Sequence, residues 1–171
     1  MYKMSKNPTY NVVLNSLNST LETIANDTWN KSYYIDWSSR MPEGKYKLSF
    51  TFISEGNTIN SFATIPVVYS NIVSSSSNSI LPQALVYQNT NILGTLYPTS
   101  IHTPTDICCF RADLTSNPPI YLNNRPFDNT FNVQIYNNSS PPLSFLDQAT
   151  VPANIGIYML ILHFELIELY K

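Results

Sequence analysis

The chain is poor in charged side chains, and this shortage limits what it can bind. Only 12% of its 171 residues are Asp, Glu, Lys or Arg, roughly half the usual share. Its nine Lys and Arg residues are scattered, and the formal net charge is −2. Because binding to phosphates needs a basic patch or stripe, we expect no nucleic-acid partner. A surface with so little charge is weakly protected against association and suits contact with other proteins.

Glycine, histidine and cysteine are also scarce, which removes the usual catalytic and metal-binding motifs. The four glycines form neither a Gly-x-Ser-x-Gly elbow nor a phosphate-binding loop. His102 and His163 stand alone, and Cys108 and Cys109 have no further ligand at metal spacing. We therefore expect a protein that is not an enzyme, with no catalytic residue, no cofactor and no metal. The two adjacent thiols are expected to be free and buried, because neighbouring strand side chains point to opposite faces.

Long apolar runs are missing as well. No window approaches the roughly 18 consecutive apolar residues of a membrane-spanning helix. No apolar segment follows Lys3 and Lys6 at the N-terminus, so we expect no secretory signal. These features predict a protein without a membrane span that is made in a cytoplasm.

A clear strand pattern is present between Met41 and Ile53. After a Pro-Glu-Gly turn signal, four large apolar side chains alternate with polar ones. Successive side chains of a strand point to opposite faces, so this stretch predicts a strand with one dry face. The apolar positions are Tyr46, Leu48, Phe50 and Phe52.

The remainder of the chain predicts further strands that cover this dry face. Tyr33–Trp37 alternates and is expected to be the hairpin partner of the stretch just described. Residues 157–170 are apolar on both faces, which predicts a place in the centre of a sheet or against a partner subunit. Residues 1–9 are expected to form a flexible arm.

About ten short strands separated by turn signals predict an all-β fold. We expect one domain over residues 10–171, a two-sheet β-sandwich of the jelly-roll type. An immunoglobulin-like sandwich is the alternative, although the Cys-Trp-Cys arrangement of true immunoglobulin domains is absent.

Five segments carry a resemblance to a known family: residues 10–16, 34–52, 117–126 and 129–135, and the closing His163-Phe-Glu-Leu166. Together these segments resemble minor structural proteins of large icosahedral double-stranded DNA viruses of algae and protists. The resemblance spans most of the chain, although its motifs are strand and turn sequences rather than catalytic signatures.

This resemblance implies a non-enzymatic virion protein, a minor capsid or vertex subunit that packs against the major capsid protein lattice. Its partners would be the major capsid protein and other minor capsid proteins, in a homo-oligomer or a larger assembly. Its location would be the virion, after synthesis in the host cytoplasm.

Two proline-containing turns flank a short extended segment and predict a rigid corner suited to an interface. Arg and aromatic side chains are enriched in buried interfaces, so Arg125 beside Phe127 is a candidate anchor. In the alternative interpretation, Arg125 caps turn carbonyls and Phe127 lies in the core. The candidate interface residues are Pro118, Pro119, Arg125, Pro126 and Phe127.

A different class of function also fits the aromatic content. The sandwich would then bind a carbohydrate or a receptor during host attachment. Trp29, Trp37 or loop tyrosines would stack on sugar rings.

Overall fold

The computed structural model describes residues 7–16, 30–55, 57–58, 66–72, 92–102, 107–137 and 157–170. Within these ranges the chain forms mostly strands, with very little helix. The predicted all-β class is therefore confirmed. The elements are β1 (Thr9–Asn15), β2 (Asn30–Tyr34), α1 (Trp37–Arg40), β3 (Gly44–Glu55), β4 (Asn57–Thr58), β5 (Pro66–Ser70), β6 (Ile92–Thr95), β7 (Tyr97–His102), β8 (Ile107–Ala112), β9 (Ile120–Leu122), β10 (Thr130–Asn137) and β11 (Ile157–Leu169).

The strands form two antiparallel sheets. Sheet 1 has the order β1-β11-β3-β8-β4, with β7 also paired to β8 and β9 also paired to β3. Sheet 2 has the order β2-β10-β5-β6. The pairing is nested along the chain, because β1 pairs with β11, β2 with β10, β3 with β8 and β9, and β5 with β6. The first three strands thus lie beside late ones, whereas β5 and β7 pair with the next strand in the chain.

The dry face predicted for β3 is confirmed. Its alternate side chains are buried, and they face a core to which both sheets contribute. β11 lies between β1 and β3, as its apolar character predicted. Burial of one such aliphatic or aromatic side chain contributes about 1.5–3 kcal/mol. The buried side chains of these two strands are Tyr46, Leu48, Phe50 and Phe52 in β3 and Tyr158, Leu160, Leu162, Phe164 and Leu166 in β11.

The expected hairpin between Tyr33–Trp37 and β3 is wrong. β2 pairs with β10 in sheet 2, and the chain then turns through α1 into sheet 1. Asp36 caps the helical turn by accepting a hydrogen bond from the Ser39 amide. A single turn rather than a hairpin loop lets the chain cross from one sheet to the other.

Trp37 occupies the space where this crossing takes place. Its indole ring lies 5.6 Å from the ring of Phe131 in sheet 2 and 5.6 Å from the ring of Phe164 in sheet 1, measured between centroids. One aromatic side chain on the connection thus contacts both layers of the sandwich. Most of the buried apolar side chains of both sheets belong to one cluster.

The N-terminal boundary of the sheet lies slightly earlier than the sequence indicates. β1 begins at Thr9, and the Leu166 amide donates a hydrogen bond to the Pro8 carbonyl at 2.9 Å. Residues 1–6 of the expected arm lie outside the described residues. Within the described ranges, no helix has the length and apolar character needed to cross a membrane.

Candidate interaction surface

The outer face of sheet 1 carries a group of apolar side chains aligned across neighbouring strands. Met159 lies opposite Ile53, and Val13 lies opposite Ile161. Arg111 continues the first row beyond Ile53, and Tyr97 lies opposite Arg111. We call Val13, Ile53, Tyr97, Met159 and Ile161 the outer apolar patch; Ile161 is half-buried and the other four are exposed.

The centre of the same face is polar and internally hydrogen-bonded. Nδ1 of His163 lies 2.8 Å from Oδ1 of Asn11, and its Nε2 lies 3.2 Å from Oγ1 of Thr51. A neutral imidazole that donates from Nδ1 and accepts at Nε2 satisfies both contacts. Partial burial lowers the pKa of His163, which favours this neutral form. Both ring nitrogens of His163 thus have partners on neighbouring strands, which gives this histidine a structural role.

The far end of the face carries ion pairs. Nζ of Lys45 lies 2.6 Å from Oε2 of Glu168, and Nζ of Lys47 lies 3.3 Å from Oε2 of Glu165. Such exposed pairs contribute little to stability, but each places opposite charges beside one another. The hydrogen bond and charge of Glu168 raise the pKa of Lys45. The outer face of sheet 1 is therefore apolar at one end and carries paired opposite charges at the other.

The predicted corner does not project as a unit. Arg125 turns into the body of the protein, where its Nη1 donates to the Met41 carbonyl at 3.0 Å and its Nη2 lies 3.2 Å from Oε1 of Glu43. Pro126 is buried, whereas Phe127 is 77% exposed. Arg125 thus caps a turn carbonyl, and Phe127 is free to contact a partner. Arg125 and Phe127 therefore do not form a single anchor.

The two prolines at the other end of β9 lie in a separate environment. Pro118 is exposed and Pro119 is half-buried. They follow Asn117, whose Oδ1 accepts a hydrogen bond from the Thr95 amide at 2.8 Å and whose Nδ2 donates to the Thr95 carbonyl at 3.0 Å. This side chain pairs with β6 as a strand backbone would and joins the β8–β9 connection to sheet 2. Sequence reasoning missed its role because a turn asparagine carries no signal for a distant partner.

Trp37 is unsuited to the sugar-stacking role considered for it. Its side chain is 1% exposed, and its Nε1 donates to the Asp128 carbonyl at 3.0 Å. Stacking on a sugar needs an accessible ring face, so Trp37 is a core residue. Trp29 lies outside the described residues.

The residue types that bind metals can be assessed only in the described part of the chain. No three His, Cys, Asp or Glu side chains gather at one place within the described part of the chain. Cys108 and Cys109 lie in β8, opposite Ile101 and Ser100 of β7. The expectation of free buried thiols concerns side chains outside the described part.

Comparison of the chain with family models, with curated proteins and with solved structures found no match.

Proposed function

We propose that this protein is a non-enzymatic virion structural protein, a minor capsid subunit that packs against the major capsid protein lattice of a large double-stranded DNA virus. The observation that carries the proposal is the outer apolar patch, exposed on a sheet whose lysines are paired with glutamates. The resemblance in strand and turn segments supplies the virion context. Assembly partners would be the major capsid protein and other minor capsid proteins.

The topology supports a jelly-roll assignment of the sandwich. A jelly-roll consists of two facing sheets built from Greek keys and occurs in viral capsid and lectin domains. Pairing of the first strand with the last and of the second with the second-last is typical of this fold, and the pairs β1–β11 and β2–β10 support the assignment. An immunoglobulin-like sandwich pairs its early strands differently, with A, B, E and D in one sheet.

The surface has the composition of an interface core. Interface centres are depleted of charged residues and enriched in aromatic residues and Met, and their burial contributes about 25 cal/mol per Å² of apolar area. The outer apolar patch supplies Met159 and Tyr97. Phe127 supplies an aromatic ring that adds area without burying a charge. Phe127 can therefore be covered by a partner with little loss of charge solvation, whereas a partner that covers the outer apolar patch also covers Arg111, which lies between Ile53 and Tyr97.

Mass spectrometry of purified virus particles tests the proposal, followed by incorporation of variants. We expect the wild-type chain in the particles. The double substitution Ile53→Ser with Met159→Ser, and separately Phe127→Ser, should reduce incorporation. Leu114→Ser is the matched control, because Leu114 is exposed in the turn after β8 and outside the outer apolar patch. Absence of the chain from particles, or equal incorporation of all variants, would contradict the proposal.

Glycan-array binding distinguishes the host-attachment alternative. Binding of a glycan by the purified chain, lost on Trp29→Ala without unfolding and combined with absence from particles, would favour a carbohydrate-binding sandwich. Measurement of the mass in solution would give the oligomeric state, and a closed symmetric oligomer would fit a shell role.

A further inference from the structure

The free edge of sheet 1 has an unusual regularity. β1 forms seven consecutive pairs with β11 without a register shift, and its sequence Thr-Tyr-Asn-Val-Val-Leu-Asn contains neither charge nor proline. Natural edge strands are usually short, bulged, charged or interrupted by proline, because unpaired backbone groups attract other strands. None of these protections is present in β1.

The other edges within the described ranges are protected in these ways. β2 carries Lys31, β9 has only three residues and β4 has only two. β7 contains Pro98 and a register shift, and β6 pairs with β5 through a register shift at Tyr69. β1 is therefore the exception among the edges that the structure describes.

The backbone groups on this edge can be identified residue by residue. The bond from the Leu166 amide to the Pro8 carbonyl places Pro8 in a hydrogen-bonded pair with β11. In an antiparallel ladder, every second residue forms such a hydrogen-bonded pair. The backbone N–H and C=O groups of Tyr10, Val12 and Leu14 therefore point towards β11. Thr9, Asn11 and Val13 direct theirs away from it. No strand within the described ranges pairs with β1 on that side.

Tyr33 closes one end of the edge and confirms this orientation. Its hydroxyl donates to the Asn15 carbonyl at 3.3 Å, which requires that carbonyl to point away from β11. The stretch of β1 whose outer side has no neighbouring strand in the described part of the chain therefore runs from Thr9 to Val13.

A cleft lies beside the edge. It has a volume of about 200 Å³ and runs between residues 11–15 of β1 and the segment that contains Tyr33, Tyr34, Ile35 and Arg40. A cavity of about 150 Å³ already holds benzene in a protein interior, so this cleft has room for a large apolar side chain. Arg40 is exposed and forms no ion pair with any described residue.

We propose that β1 is a docking edge for an extended peptide segment of a partner protein, which adds a strand to sheet 1. The segment would pair with the backbone of Thr9, Asn11 and Val13, place an apolar side chain in the cleft and present a carboxylate to Arg40. Main-chain hydrogen bonds give affinity in this mode, and the flanking pocket and charge give specificity.

A second copy of the folded chain is a poorer occupant. In an antiparallel β1–β1 contact, the inward side chains of the second copy are Val12 and Leu14, which are already buried in their own core. They could not fill the cleft. An extended segment has side chains that are free to do so. The proposal rests on the edge of the fold and does not depend on the capsid role.

Position 13 allows a substitution that separates docking from folding. The Val13 amide points away from β11, so Val13→Pro removes an edge donor without removing a native ladder bond. Val13→Thr is the matched control, because it retains the donor and β-branching.

Fluorescence anisotropy with the full-length chain provides the test. The probes are two labelled peptides in which Thr alternates with Val and Leu, with a Glu pair at the amino end of one and the carboxyl end of the other. We expect saturable binding of at least one probe by the wild-type chain and by Val13→Thr. Val13→Pro should weaken it about tenfold, since an edge hydrogen bond and a close approach are lost.

Charge provides a second comparison. Arg40→Gln should weaken binding about fivefold, and replacement of the peptide's Glu pair by Gln should have no further effect on that variant. Absence of binding, equal binding by Val13→Pro, or insensitivity to Arg40→Gln would overturn the proposal. A doubled solution mass that Val13→Pro abolishes would also overturn it, by assigning the edge to a second copy.

Discussion

Tyr33 of β2 and Tyr158 of β11 bring their hydroxyl oxygens within 3.3 Å of each other between the two sheets. Both side chains are buried. The Tyr33 hydroxyl also lies 3.3 Å from the Asn15 carbonyl, which places it beside the edge strand β1. Burial raises the pKa of Tyr33, while the hydrogen bond with Tyr158 acts in the opposite direction. A polar contact thus links the two layers within an otherwise apolar core.

We predict that Tyr33→Phe lowers the free energy of unfolding by about 1 kcal/mol, because a buried hydrogen bond is lost and the Asn15 carbonyl loses a donor. Tyr158→Phe should have a similar effect. The double variant should cost less than the sum by about 0.5 kcal/mol, since the two changes remove one shared contact. Urea denaturation measures these values. Tyr34→Phe is the matched control, and its exposed ring should leave stability unchanged; strictly additive losses would contradict the coupling.

We predict that Gly94→Ala destabilises the contact between β6 and the β8–β9 connection. A Cβ atom at this position would lie 2.4 Å from Oδ1 of Asn117 and 2.9 Å from Cε1 of Phe50. The expected loss is about 2 kcal/mol, comparable to that of Asn117→Ala, which removes two hydrogen bonds to Thr95. Combining the two should cost less than the sum, because removal of the amide creates room for the methyl group. Thermal unfolding of the two single variants and the double variant measures these losses. Losses that add in the double variant would show that the two sites act separately and would contradict the prediction.

We predict that the folded state loses stability as the pH falls below about 6.5, with His163 as a contributor. Burial lowers the pKa of His163 below its ordinary value of 6.5. The unfolded chain therefore binds a proton at a higher pH than the folded chain does, and acid favours unfolding. The charged groups on the same face include Glu165, two residues along β11, and Lys47, which is paired with it.

His163→Gln isolates this contribution, because glutamine keeps hydrogen-bonding capacity and does not titrate. Urea denaturation between pH 5 and pH 8 should show a shallower acid decline for His163→Gln than for the wild-type chain. Identical pH profiles would remove His163 as the cause.

We predict that Arg125→Lys lowers the free energy of unfolding by about 1 kcal/mol. The planar guanidinium reaches the Met41 carbonyl and the Glu43 carboxylate from two nitrogens at once, whereas a single ammonium group cannot reproduce this fork. Arg111→Lys is the control, since Arg111 is exposed and forms no ion pair within the described part of the chain. Denaturation midpoints that shift equally for both variants would contradict a structural role for Arg125.

The strands that sequence reasoning identified most clearly share a simple physical origin. β3 alternates apolar and polar residues, and β11 is apolar on both faces, so burial of one face or both follows from the two-residue period. The wrong prediction concerned which strand pairs with Tyr33–Trp37. Alternation in Tyr33–Trp37 predicts extended structure but says nothing about which strand lies beside it. Asp36 capped a helical turn instead, and β2 joined β10 in the opposite sheet.

The candidate interface residues also show what the sequence could predict and what it could not. Composition predicted a surface with few charges, and the alternation in β3 predicted which of its residues are buried. Neither pattern could predict that Arg125 turns inwards while Phe127, two residues away, faces solvent. In a turn without a regular period, side-chain direction depends on which distant backbone atoms lie within reach.

By itself the sequence determined the β class, the buried faces of the long strands and the scarcity of charge, because these follow from local period and composition. Tertiary structure alone decided the nested pairing, the burial of Trp37 between the sheets, the outer apolar patch and the unprotected edge of β1. Each of these joins residues far apart in the chain. Such contacts form only when the closure of long loops is compensated by burial between particular strands, and that balance is a property of the whole fold.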